Sequence, residues 1–410
     1  MNYSPVELLY VFFHHGGIKM PLGRLAVKDR QILFEYDPTF IDSELEISPF
    51  ELPLKEGVQI CTDRLFQGLF GVFNDSLPDG WGRLLLDRQV EKHGINRRQL
   101  TALDRLSYVG TSGMGALSYE PDLTNSSDIK KPIQLDAIAE EARIVLEGTN
   151  DEVFEELLAL GGSSGGARPK IVAQVNRNRT ELLYGQDVLK EGYEHWLIKF
   201  PASADEKDIG TIEYAYSLMA KQAGVEMPST HLFTTQAGNA YFGVKRFDRE
   251  GIKRIHMHTL CGLLHADHQN PALDYQDILR ATHKLTRDFQ ELLKAFRLAC
   301  FNVFAHNQDD HSKNFSFIFD HKNEWKLSPA YDLTYSFSSF NEHSTTIMGE
   351  GKAPNAKHLH ALAKSVGIKE ATAVAIISEV KTATNNWRAH ASEAGVSVKS
   401  TKMVDENIVD

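Results

Sequence analysis

Cysteine is scarce: Cys61, Cys261 and Cys300 are the three in 410 residues. They form no CxxC pair, which argues against a disulfide framework and suits a reducing cytoplasm. Long apolar runs are missing as well. No uninterrupted stretch reaches membrane-spanning length, and no n-region with a long apolar core opens the chain. A cytosolic location with no membrane part is therefore expected. Basic charge is also short, with Lys and Arg numbering 44 against 55 Asp and Glu, a net charge of −11. That balance argues against a grip on nucleic acid through a general basic surface and leaves only a local patch or a basic partner. What remains, 42% hydrophobic and 24% charged residues, describes a soluble globular chain. Its length allows two domains, or one bilobal unit with an added domain.

The informative residues concentrate between Asp288 and Tyr335. Apolar residues at Phe289, Leu292, Leu293, Phe296, Ala299, Cys300, Val303 and Phe304 recur at helical spacing, which predicts a buried helix. A polar loop follows, His306 to Asn314. Phe315, Phe317 and Phe319 then alternate with Ser316 and Ile318 as in a strand, and Asp320 to Asn323 turns it back toward Trp325 and Leu327. Asp332 stands at the far end of the hairpin. This order suits phosphoryl transfer, which needs a carboxylate near the acceptor hydroxyl and oxygen ligands for magnesium. Asp309 lies five residues before Asn314, the spacing of a catalytic acid and a metal-binding amide in protein kinases. Asp332 falls where the second metal-binding acid belongs. An Asx-rich surface loop would use the same residue types; the order of helix, loop, hairpin and acid favours the chemical reading.

Earlier in the chain, Leu8 to Phe13 is predicted as a strand, and Gly23 to Val27 with Gln31 to Tyr36 as a hairpin about Lys28 to Arg30. Asn74 to Gly80 reads as a turn leading into a helix near Trp81. Tyr108 to Leu117 is glycine-rich and reads as a strand-to-strand turn rather than a phosphate loop, having no lysine after its glycines. Residues 120–135 suit a linker. Helical periodicity over Ala137 to Leu160, broken at Gly148 to Asp151, leads into Gly161-Gly162-Ser163-Ser164-Gly165-Gly166-Ala167-Arg168-Pro169-Lys170. Such a run lets backbone N–H groups approach phosphate oxygens, although its spacing is not that of a Walker A loop; a flexible link is the competing reading. Strands are predicted at Lys170 to Ala173, Glu181 to Tyr184 and His195 to Phe200. Lys199 in that last apolar strand is costly to bury alone. Contact with nucleotide phosphates and with Glu213, on a helix predicted over Asp208 to Ala223, would offset the cost. His231 to Thr235 and Ala240 to Phe247 form a further antiparallel pair, and Val244 to Asp248 a hinge.

The cluster His256, His258, Cys261, His265, Asp267 and His268 contains zinc-ligand residue types. It has no second cysteine and fits no standard template, so capping and packing roles are preferred. Helices are predicted over much of 273–305 and 356–392. The polar tail from Ser397 to Asp410 has little to bury and is expected to be loosely ordered.

Taken in order, the segments FNDSLPDGWGR, YVGTSGMGALSY, GGSSGGARPK, WLIKFP, VKRFDR, HNQDDHSKN and LSPAYDL resemble those of the HipA family, serine/threonine-kinase toxins of bacterial toxin–antitoxin pairs. The resemblance covers almost the whole chain. It implies an α+β, bilobal, protein-kinase-like fold, with a β-rich N-terminal lobe, an extra N-terminal subdomain and an all-helical C-terminal lobe. The expected divisions are 1–120, 121–248 and 249–410. The implied cofactors are ATP and Mg2+, with Asp309 as catalytic acid/base and Asn314 and Asp332 as metal ligands. Lys199 would hold the phosphates, and Gly165, Gly166, Ala167, Arg168 and Lys170 would cover them. Lys245 and Phe247 would meet adenine through their backbones; His311, Lys313 and Tyr331 fall in nucleotide-contacting segments. Ser163 or its neighbour Ser164 would be autophosphorylated, adding about −1.5 to −2 charge to the loop as an off-switch. The implied partners are a HipB-like helix-turn-helix antitoxin, operator DNA only through it, and a protein substrate, an aminoacyl-tRNA synthetase by analogy. Gln308 replaces the usual kinase Arg, Leu333-Thr334 replaces Phe-Gly, and Arg168 stands where many relatives carry Gln. Asp310 beside Asp309 leaves open which carboxylate approaches the acceptor. A small-molecule or lipid phosphotransferase, sharing Asp309-x-His311-x-x-Asn314, is the alternative enzyme; a catalytically silent ATP-binding module is the non-enzymatic one.

Overall fold

The computed structural model describes residues 3–124, 132–148, 157, 166–185, 188–202, 205–336 and 341–408. The chain divides into two compact units. Met1–Glu206 with Phe233–His258 form one, and Lys207–Leu232 with Thr259–Asp410 the other.

The first unit opens with an antiparallel sheet of β1 (Leu8–His15), β2 (Ile18–Lys28), β3 (Gln31–Tyr36), β4 (Val58–Ile60) and β5 (Leu117–Glu120), in the order β4-β3-β2-β1-β5. Its hairpin pairs Lys28 with Gln31 across Asp29 and Arg30, both at positive φ. That is the backbone a two-residue connection needs to match the strand twist. Alternation decides the faces: Leu9, Val11 and Phe13 are fully buried, while Leu8 and Tyr10 are exposed.

The two longest helices before β5 are α1 (Gly80–Lys92) and α2 (Ala102–Val109). The second corrects the expected strand-to-strand turn. Thr101 and Asp104 form a reciprocal capping box that starts a helix through Tyr108 and Val109, and Gly110 ends it at positive φ. The glycine run therefore joins a helix to a strand. Aromatic and β-branched residues at the helix end mimic a strand; the cap decides.

After α3 (Leu135–Glu147) comes a second sheet, with β6 (Lys170–Asn176), β7 (Leu182–Leu183), β8 (Tyr193–Lys199), β9 (Thr230–Thr234) and β10 (Ala240–Lys245) ordered β7-β6-β8-β10-β9. Ile171, Ala173, Val175, Trp196 and Ile198 bury one face against Trp81 and Leu85 of α1 and Ile138, Ala142 and Val145 of α3. Period-2 alternation leaves Lys170 and Lys199 on the opposite face.

Among the described residues the second unit is mainly helical, with a hairpin that pairs with the short strand His256–Thr259. It contains α4 (Ile209–Gln222), α5 (Tyr275–Thr286), α6 (Phe289–Phe304), β11 (Ser316–Phe319), β12 (Trp325–Leu327), α7 (Ala356–Ser365), α8 (Glu370–Thr384), α9 (Trp387–Ala394) and α10 (Val398–Asp405). The predicted buried helix is α6, capped by the Asp288 carboxylate on the Gln290 N–H. The predicted hairpin pairs Phe317 with Leu327 and Phe319 with Trp325. The tail departs from expectation, because residues 398–405 are helical. The Ser397 hydroxyl caps the helix, and the Asp208 carboxylate accepts from the Ser397 N–H and the Ser400 hydroxyl, both at 2.9 Å. The Trp387 indole donates to the Thr401 carbonyl. Apart from Val404 there is little to bury, so bonds distant in sequence do the ordering. Among the described residues, no helix is long and apolar enough to cross a membrane.

Candidate functional site

Chemically capable residues form one cluster in each unit. In the second unit, α6 delivers the chain into the loop His306 to Asn314. The two adjacent acids there have opposite fates. The Asp310 side chain is 0% exposed and that of Asp309 is 61% exposed. The buried carboxylate accepts from the Tyr275 hydroxyl (2.8 Å), from His343 Nδ1 (2.8 Å) and from the Thr345 N–H (3.1 Å). The Asp310 carbonyl accepts from the Thr345 hydroxyl at 2.5 Å. Burial first, then the Asp310 charge, pushes the Tyr275 phenol far above its ordinary pKa. It stays a hydroxyl, and so a donor.

The bonds continue behind Asp309. The Asp309 N–H donates to Ser336 Oγ (3.0 Å), and that hydroxyl donates to Asn307 Oδ1. Asn307 Nδ2 donates to Asn302 Oδ1, and Asn302 Nδ2 to the Tyr275 oxygen. On the other side, the Gln308 carbonyl accepts from Ser344. Asp309 thus projects from a backbone braced on both sides. His311 Nε2 lies 3.7 Å from Asp309 Oδ1, and the His311 ring meets that of His268 at 5.7 Å.

Asn314 donates its amide nitrogen to the Asp309 carbonyl at 2.6 Å. That fixes the rotamer and leaves the amide oxygen as the atom able to accept a donor or a cation. Beyond the hairpin, the Tyr331 hydroxyl donates to the Lys313 carbonyl (2.6 Å) and meets Ser316 Oγ, tying the acid turn to the loop. Asp332 is half-buried and left-handed, with φ 53°, a conformation Asp tolerates better than most residues.

In the first unit the glycine-rich run is described from Gly166 onward; Ser163, Ser164 and Gly165 lie outside the described residues. Ala167 is exposed between half-buried Gly166 and Arg168, and Arg168 holds Asp205 at 3.0 Å. Lys170, 5% exposed, and Lys199 are cross-strand partners on β6 and β8. Lys199 Nζ lies 5.8 Å from the Phe242 ring centre. Two ammonium-bearing side chains therefore leave one sheet face side by side, an arrangement that an anion favours. In the segment expected as a hinge, Lys245 Nζ pairs with Glu194 at 2.5 Å, and the Arg246 N–H donates to the His195 carbonyl. Asp248 is buried between the guanidinium groups of Arg246 and Arg249, each at 2.7 Å, which hold its carboxyl well below the usual range despite burial. Phe247 is half-buried between them in sequence.

In the histidine cluster, His256 and His258 are buried and bonded within the fold. His256 Nε2 meets the Ile47 carbonyl at 2.9 Å, and His258 lies between Asp75 (2.7 Å) and Ser48 (3.0 Å). Ser48 is 1% exposed, so this serine–histidine–aspartate line offers no open nucleophile. Among the described residues, no group of three or more His, Cys, Asp or Glu is arranged to hold a metal ion.

Sequence reasoning missed Tyr275, Asn302, Ser336, His343 and Thr345. Asn302 alone carried a signal, as an amide inside an apolar helix pattern.

Comparison with known proteins bears on the fold and the family. A solved complex of HipA, HipB and operator DNA from Shewanella oneidensis contains a chain of the same fold. Its TM-score is 0.70 at 16% identity, covering 97% of this chain and 94% of that one. Two kinase-named proteins of Sinorhizobium fredii, Y4mE and Y4dM, are each 26% identical, over 52% and 41% of this chain. The matches span 46% and 43% of those relatives, so the chain covers under half their length. Residues 17–120 match the HipA N-terminal domain and residues 162–387 the HipA-like C-terminal domain. With more than half its length matched in this way, the chain belongs to the HipA family.

Proposed function

We propose that this chain is an ATP-dependent serine/threonine protein kinase of HipA type. The observation that carries the proposal is the split between the neighbouring acids. Asp310 is consumed by three buried donors, while Asp309 is held outward on a braced backbone. A general base needs that combination of fixed position and access to the acceptor.

The donor sets fit the cofactors. Asn314 and Asp332 offer hard oxygen atoms, the ligand type magnesium takes. Lys170 and Lys199 offer paired positive charge for phosphates. Mg-ATP, when bound, supplies the phosphoryl group. Asp309 would take the proton of the acceptor hydroxyl, Asn314 and Asp332 would hold the metal, and Lys199 would orient the phosphates. Gly165 to Lys170 would cover the phosphates, Lys245 and Phe247 would serve adenine through backbone groups, and His311, Lys313 and Tyr331 would contribute to the nucleotide site.

The acceptor is a serine or threonine of a translation-related protein, by family likeness an aminoacyl-tRNA synthetase. Phosphorylation of Ser163 or Ser164 is the off-switch. The Shewanella relative is solved with HipB and operator DNA. By that likeness a HipB-like antitoxin binds this chain, and the net charge of −11 favours contact with DNA through the antitoxin rather than directly. The cytoplasm is the compartment that suits all of this.

The test is intact-mass and phosphosite analysis after incubation with Mg-ATP, beside Asp309→Gln and Asn314→Ala. Phosphate on Ser163 or Ser164 in the wild type alone supports the reading. No transfer to the chain or to a synthetase panel, with ATP still bound, would replace it with the silent module.

A further inference from the structure

The segment around Trp81 is unabsorbed by this reading, yet it contacts the glycine-rich loop directly. Asp79 occupies the N-cap of α1, but its side chain makes no capping bond there. Its carboxylate accepts instead from the Gly166 N–H. The Gly166 carbonyl in turn accepts from the Trp81 N–H at 2.9 Å, a first-turn donor with no partner inside its own helix. Both backbone groups of Gly166 are therefore held by one turn 87 residues away in sequence.

Two further contacts lock the same place. The Trp81 indole N–H donates to the Lys170 carbonyl at 3.1 Å, and the ring is 1% exposed. A Cβ on Gly80 would stand 2.7 Å from Ala167 Cα and closer still to the Gly166 carbonyl oxygen, so any side chain there would displace the loop. Gly80 is also at positive φ. From the other side, a Cβ on Gly166 would meet Lys170 Nζ at 2.5 Å. The turn, the loop residue and the lysine head group are stacked in contact.

We propose that the turn Asp79-Gly80-Trp81 is the seat of the phosphate loop. It fixes the stretch Gly166 to Lys170 where it enters β6, making the N-terminal family domain a positioning part of the nucleotide site. The inference rests on reading Gly166 to Lys170 as phosphate-covering, and the test separates the two ideas.

Amide hydrogen exchange is measured on the full-length chain without nucleotide for the wild type, Asp79→Ala, Asp79→Asn and Gly80→Ala. Asp79→Ala and Gly80→Ala should speed exchange over residues 166–170 about tenfold, equivalent to about 1.4 kcal/mol, with the second half of α1 unchanged. Asp79→Asn keeps an acceptor oxygen and should stay near wild type. Unchanged loop exchange in Asp79→Ala overturns the proposal. So does equal acceleration throughout α1, which would make Asp79 only a helix support.

Steady-state kinetics supply the second readout. Asp79→Ala should raise the KM for Mg-ATP about tenfold with kcat within about threefold, again with Asp79→Asn as rescue. A wild type that neither binds nor uses Mg-ATP sinks the kinase reading, and the exchange arm then decides the seat by itself.

Discussion

Replacing Asp310 by alanine removes a carboxylate that accepts from three buried donors: Tyr275 Oη, His343 Nδ1 and the Thr345 N–H. Each orphaned buried donor costs about 1–3 kcal/mol, so three cost roughly 3–9 kcal/mol. Water entering the vacated space would recover part of this, so the lower end of the range is the working figure. Even about 3 kcal/mol is a large share of a domain's stability of about 5–15 kcal/mol. For a unit of this size, each kcal/mol lowers the melting midpoint by roughly 2–4 °C, so a drop of roughly 6–12 °C is expected. Asp309→Asn touches a side chain that is 61% exposed. It should move stability by no more than about 0.5 kcal/mol while slowing phosphoryl transfer by about 10²–10⁴. Differential scanning calorimetry and a radiolabelled ATP transfer assay on the same preparations read both effects. The reasoning is refuted if Asp310→Ala melts with the wild type. It is equally refuted if Asp309→Asn keeps full activity while Asp310→Asn loses it with an unchanged melting curve.

Three more expectations are open to direct measurement. His195 and His256 are buried, and burial above all pushes each pKa down to about 3; for His195 the neighbouring arginines, and for His256 the adjacent His258, add to the effect. Both stay neutral in the folded state, whereas the unfolded chain takes up protons below pH about 6.5. Their stabilisation is therefore complete above that pH and is lost as pH falls toward 3, by roughly 2 kcal/mol each at pH 5. Denaturant titrations at pH 7 and pH 5 should show the loss, and His256→Phe should flatten it; an identical slope in that variant would remove His256 as a cause. Saturating Mg-ATP at about 100 times its Kd should stabilise the wild type by about 2.7 kcal/mol, an increment Lys199→Met should abolish; a full shift in that variant would separate Lys199 from the phosphates. Asp208→Ala withdraws the acceptor for Ser397 and Ser400. Exchange in residues 398–405 should then rise toward that of an unfolded segment, and retained protection would mean that Val404 and Trp387 suffice.

The elements legible in the sequence are those whose pattern closes within a few residues. Helix α6 declares itself by apolar spacing and by Asp288 at its cap. The hairpin declares itself by three alternating phenylalanines around Asp320 to Asn323, and β8 by an apolar run interrupted at Lys199. Where a short-range pattern was ambiguous, the cap decided: Tyr108 and Val109 look like a strand, and Thr101 with Asp104 makes them the end of a helix. The tail reads as unstructured because its few apolar residues could not hold it. The Asp208 carboxylate that does hold it lies 189 residues away from Ser397. Charge and capping bonds of that reach leave no periodic trace.

The candidate site divides along the same line. The spacing from Asp309 to Asn314, and the acid after the hairpin, could be read because loop and hairpin are contiguous in the chain. The distinction between Asp309 and Asp310 could not. Two identical side chains stand one residue apart, and what separates them is Tyr275 arriving from 35 residues before Asp310 and His343 from 33 after it. The Asp79 turn follows the same logic at longer range. As sequence, Asp79-Gly80-Trp81 is a turn opening a helix, and an aspartate at an N-cap invites the bland explanation. The structure shows that the expected capping bond is absent and that the carboxylate faces Gly166. A local rule broken at an otherwise well-formed helix start points to a contact elsewhere that outweighs it. That contact joins the N-terminal family domain to the segment read as the phosphate loop, so the nucleotide site proposed for this chain draws on both family domains.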